Sequence, residues 1–102
     1  MPTTYPSPAA IATPTVGNAA SVQVATPNLQ RAGLYVFNPS AANTLWVSPT
    51  GTVAAVGGVG SIAIQPLQGQ MFGWPTMATW TNGMNAIFSA GSSQICLLEF
   101  YT

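Results

Sequence analysis

Short apolar runs separated by turn residues recur along this chain from about residue 20 to its end, at the roughly 8- to 12-residue spacing of all-β folds. Val22 and Val24 flank Gln23, and Ile62 and Ile64 flank Ala63, so each pair points to one face of an extended strand. The β-prone runs cover residues 21–25, 31–38, 44–48, 52–56, 61–65, 70–74, 85–90 and 94–101. Apolar spacing at the helical period is not sustained anywhere, and alanine-rich stretches such as 9–12 are broken by proline. The pattern predicts an all-β protein, an antiparallel β-sandwich or jelly roll of about eight short strands.

The connectors carry their own chemistry. Ser48-Pro49-Thr50-Gly51 has proline and glycine where a type I turn prefers them, which predicts a hairpin between 44–48 and 52–56. Asn82-Gly83 suits a type I′ turn. Asn38-Pro39 ends its strand, because proline holds the preceding residue extended and cannot donate to a ladder. Gly57-Gly58-Val59-Gly60 reads as a flexible loop.

Residues 1–19 differ from the rest. Pro2, Pro6, Pro8 and Pro14 stand among Thr, Ser and Ala, which predicts an extended or polyproline-like arm rather than helix or sheet. The sandwich domain is then 20–102. Tyr5 and Ile11 are the arm's apolar anchors and candidate interface residues. Such an arm is either a mobile tail or a segment that orders on a neighbouring subunit.

Charge changes the functional picture most. Arg31 and Glu99 are the only Lys, Arg, Asp or Glu among 102 residues, and there is no histidine. An ordinary domain is about one-quarter charged. No paired carboxylates, His–nucleophile pair or cluster of metal ligands can be assembled from this set. Catalysis, metal binding and cofactors are therefore not expected. One Arg cannot neutralise a phosphate backbone, so nucleic acid is not an expected partner. The glycine-interrupted run 53–64 is too short to span a membrane, and no secretion signal is visible at the start. What is left is a neutral polar surface of Ser, Thr, Asn and Gln that costs little to desolvate, and near-zero net charge favours association. A place in a protein assembly is the expectation.

Individual residues have competing readings. Arg31 and Glu99, near the start of one strand and the end of another, either pair or stand as two exposed ends. Cys96, in Ile95-Cys96-Leu97-Leu98, reads as a small buried hydrophobe. Trp46, Trp74 and Trp80 serve as core or interface anchors, or as a platform for sugar rings. Trp74 and Trp80, in loop-like contexts, are the interface candidates.

One further pattern is specific. Arg31-Ala32-Gly33-Leu34-Tyr35-Val36-Phe37-Asn38 leads through a polar loop to Leu45-Trp46-Val47-Ser48. With Gly60-Ser61-Ile62-Ala63-Ile64 and the closing Leu97-Leu98-Glu99-Phe100-Tyr101, residues 29–102 resemble small virion structural proteins of tailed bacteriophages. The resemblance implies a β-sandwich module that decorates or cements a capsid, or builds head fibres and tail parts. It implies a bracing role for Arg31. The partners it implies are major capsid subunits and other copies of the chain, as a dimer or trimer, in a virion assembled in the host cytoplasm. The alternative is a receptor- or glycan-binding module of a head fibre or tail, or a tail or connector component.

Overall fold

The computed structural model describes residues 7–11, 13–73 and 82–101. Those residues form eight strands and no helix. The strands are β1 (Ser7–Ile11), β2 (Val22–Ala25), β3 (Arg31–Phe37), β4 (Leu45–Ser48), β5 (Ile62–Ile64), β6 (Gly69–Gly73), β7 (Met84–Phe88) and β8 (Cys96–Tyr101). They make two four-stranded antiparallel sheets, β1-β8-β3-β6 (sheet 1) and β2-β7-β4-β5 (sheet 2). β1 pairs with β8, β2 with β7, β3 with β6 and β4 with β5, as in one long hairpin rolled up on itself. The β3–β8 and β4–β7 ladders close the roll. Of the two architectures the sequence allows, this strand order is the jelly roll.

Alternation builds the core. Leu34, Val36, Phe72 and Leu97 face inward from sheet 1, and Leu45, Val47, Ile64, Met84, Ala86 and Phe88 from sheet 2, all buried in one cluster. Fully burying each larger side chain is worth about 1.5–3 kcal/mol.

Two expectations are corrected here. The run 52–56 is not a strand. β4 already has β5 on one side and β7 on the other, so no edge remains for a hairpin partner. The described part of the expected arm, 7–11 and 13–19, is not separate from the domain either. Ser7–Ile11 pairs along β8 in the register Ser7↔Tyr101 to Ile11↔Leu97. Pro8 is tolerable in β1 because this is an edge strand, where one ladder face needs no donor. Ile11 thus packs against the chain's own core. Val16 is fully buried and exchanges both backbone hydrogen bonds with Ser93, at 2.9 and 3.0 Å, and Gly17 O accepts from Phe88 N at 2.8 Å.

A chain beginning at Asn18 therefore loses β1 with its ladder to β8, a buried valine and three further backbone hydrogen bonds. It should be at least about 3 kcal/mol less stable than one beginning at Ser7, as read by urea unfolding. Equal midpoints for the two truncations would show that β1 and Val16 together contribute nothing to the domain.

Candidate functional site

Both charges of the chain meet inside the fold. A bulge in β3 between Arg31 and Gly33 shifts the register so that Arg31 lies opposite Tyr101. That moves Arg31 out of the outward phase of Tyr35 and Phe37 and into the inward phase of Leu97 and Glu99. Arg31 Nε donates to Glu99 Oε2 at 2.7 Å, with the side chains 1% and 10% exposed. The remaining two guanidinium nitrogens are also engaged: Nη1 donates to Asn82 O at 2.7 Å and Nη2 to Thr26 O at 2.6 Å. Asn28 Nδ2 reaches Glu99 Oε2 at 3.5 Å. One guanidinium thus ties together β8, the turn after β2 and the entry to β7. A planar fork with fixed donor directions suits this task better than an ammonium. Above the pair opens a cleft of about 250 Å³, walled by Ile11, Pro14, Gln23 and Thr26.

Asn38 is a second fixed point, and a fully buried one. Its Nδ2 donates to Asn43 O at 2.8 Å and Ile64 O at 3.0 Å, and its Oδ1 accepts from Ser40 N at 2.9 Å. Its backbone bonds to Gln68 O and Leu67 N at 2.9 and 3.0 Å. Beyond ending β3, this residue holds the 38–44 loop and the β5–β6 turn against each other. At that turn Leu67 takes a left-handed φ of 58°, unusual for a leucine, and stands exposed.

The two sheets present unlike outer faces. On sheet 2, Asn85 points outward between the buried Met84 and Ala86, and its Nδ2 donates to Gly51 O at 3.1 Å and Thr52 O at 2.6 Å. Ser48, beside it in register, shares hydroxyl contacts with Thr50 and Thr52. Ala54 N donates to Ser21 Oγ at 2.9 Å, and Ala55 N to Ser61 Oγ at 3.1 Å. Residues 49–61 therefore fold back across sheet 2 as a hydrogen-bonded roof, in which Ala54 is buried. The outer side of this roof carries Val53, Val56 and Val59, 76%, 51% and 105% exposed. The run expected as a strand and a flexible loop is a tethered apolar loop.

Sheet 1 has no such roof among the described residues. The register sets Ala10, Leu98, Tyr35 and Met71 side by side across its outer face, flanked by Phe37 and Phe100. A Cβ at Gly69 would lie 3.0 Å from Tyr35 Cε1 and closer still to its hydroxyl, so glycine there lets the ring lie across β6. Cys96 is exposed on this face. The expectation of a buried thiol fails because Ile95 and Leu97 take the inward positions on either side of it.

Of the residues singled out from the sequence, the structure brings Arg31, Glu99 and Ile11 to one cleft. Tyr5, Trp74 and Trp80 lie outside the described residues. Trp46 is half-buried in β4, paired with Ile87 and Ala63 on the outer side of sheet 2. Asn38 and the roof had no sequence signal beyond their turn chemistry. No protein-family model, curated protein or solved structure matches the chain.

Proposed function

We propose that this protein is a virion structural component of a tailed bacteriophage, a capsid decoration or cement module. In this reading it oligomerises, binds major capsid subunits and is carried in the virion after assembly in the host cytoplasm. The observation that carries it is the tethered loop 49–61, which offers Val53, Val56 and Val59 to solvent from a surface without one charged side chain. Both charged groups of the chain are consumed in an internal pair. A partner surface of apolar and amide groups is then covered without stranding a charge, and a preorganised loop loses little freedom on docking. The jelly-roll architecture agrees with this by analogy only, since that fold houses both viral capsid and lectin domains.

The mechanism is mechanical and has no catalytic step. Apolar contact through the roof fastens the module to the lattice, and contacts between modules spread load over neighbouring subunits. The test is co-sedimentation of the chain with undecorated particles of the phage that encodes it, alongside V59D. The expected result is saturable binding that V59D weakens at least about tenfold, in the range of a lost interface anchor. Particles that carry none of this chain by mass spectrometry overturn the proposal. Saturable glycan binding by the isolated protein without particle binding would replace it with the receptor-module reading.

A further inference from the structure

We propose that the outer face of sheet 1 is the surface on which a second copy of this chain docks, sheet against sheet. This deepens the reading of an oligomeric capsid component, and rests on it for the expectation that copies associate at all. An antiparallel sheet with one wet face alternates apolar and polar residues, whereas strands covered on both faces read as continuous apolar runs. β3 and β8 read the second way, as Leu34-Tyr35-Val36-Phe37 and Cys96-Leu97-Leu98. Yet the described residues cover only the inner face of these strands. On sheet 2 the chain supplies its own cover with the 49–61 roof; on sheet 1 the row Ala10, Leu98, Tyr35 and Met71 has none among the described residues.

A second copy fits this face for two reasons. A twofold contact brings each residue against its own surroundings, so any charge in the patch would meet its like. This patch has none, and neither does the remaining side-chain surface. The shape is also suitable. Tyr35 lies across Gly69, and sheets pack face to face at about 10 Å when side chains are laid flat enough to interdigitate.

Size sets the strength. Four strands about 4.8 Å apart and about five residues long give a face of roughly 19 by 17 Å, about 320 Å² per copy. Counting both copies, that is below the roughly 1,200 Å² of a standard stable interface. The free dimer is therefore weak, with dissociation at about 10–100 μM, and is favoured where copies are held close together.

Sedimentation velocity of the full chain between about 5 and 500 μM tests this, with L98K and V59K compared. The unmodified chain and V59K should shift from monomer to dimer across that range, while L98K stays folded by circular dichroism and dimerises at least tenfold more weakly. In the unmodified chain, Cys96 should react with a maleimide at least fivefold more slowly at 500 μM than at 5 μM, a readout that needs no variant. A chain monomeric at 500 μM overturns the inference, as does association with no protection of Cys96. Monomeric chain that still binds particles overturns the self-association and leaves the capsid-binding part of the proposed function standing. A dimer through this face that never binds particles does the reverse.

Discussion

Replacing Arg31 by methionine should cost about 3–5 kcal/mol of folding stability, the range for breaking a buried pair and leaving one charge behind. The substitution removes the donor held 2.7 Å from Glu99 Oε2 and leaves that carboxylate in a site where the side chain is 10% exposed. It also frees Thr26 O and Asn82 O, which sit on exposed residues and can turn to water. Most of the loss is therefore the buried carboxylate deprived of its cation. Domains of this size are stable by about 5–15 kcal/mol in total, so R31M should lower the melting temperature by at least about 12 °C. R31K keeps a charge but cannot reach all three acceptors, and should fall between. The double variant R31M/E99L should regain part of the loss, because removing both partners is far cheaper than removing one. Strict additivity of R31M and E99L in thermal or urea unfolding would show that the two groups are energetically independent despite their contact.

Seven of the eight strands were readable in the sequence, and the reason is physical. Wherever inner positions alternate with polar or turn-bounded ones, as at Val22 and Val24 or Ile62 and Ile64, the period of two fixes both the strand and its face. Where both faces are apolar, the period is silent. The run Ile95-Cys96-Leu97-Leu98 identifies β8, but the register with β3 is what places Cys96 outside and Leu97 inside. β1 was hidden by Pro8 and the prolines around it in sequence; a proline forbids a central strand and permits an edge one, and only the free edge of β8 decides between them. The reverse error at 52–56 has the same origin. Thr52-Val53-Ala54-Ala55-Val56 has strand-forming residues, but both edges of β4 are taken, and Asn85 and Ser21 hold the segment by side-chain hydrogen bonds instead.

The Arg31–Glu99 pair was legible as a possibility because the chain has only two charges to pair. Its geometry was not, since it depends on a one-residue bulge that no local signal announces. The pairing has a consequence for the surface. Burying the only two charged side chains together leaves an exterior of amides, hydroxyls and aliphatics. Solubility then rests on those polar groups, and nothing electrostatic opposes contact with another copy or another neutral protein.

The second large effect is expected at Asn38. Asn38→Leu keeps the branching at Cγ with somewhat more bulk, and strands Asn43 O, Ile64 O and Ser40 N, which the Asn38 amide holds at 2.8, 3.0 and 2.9 Å. Each buried group left without a partner costs about 1–3 kcal/mol, so a loss of about 3–5 kcal/mol is expected after relaxation of the more exposed loop residues. Asn38→Asp separates the hydrogen-bond component from the packing component, because the shape is retained while both donors are lost. An ionised carboxylate there would face two carbonyl oxygens from a fully buried position, which disfavours the charged form. Its folded-state pKa is thereby raised above the ordinary aspartate value of about 3.9. The sign follows: the folded state of N38D binds the proton more tightly than the unfolded state, so its stability is greatest at low pH and falls as pH rises through the raised pKa. Protonation restores one O–H donor, enough for one of the two carbonyls. Urea unfolding of the parent and N38D between pH 3 and pH 8 should therefore show a gap that narrows toward acid. A gap that stays constant across this range would mean that Asn38 acts through its shape and not through the hydrogen bonds of its amide.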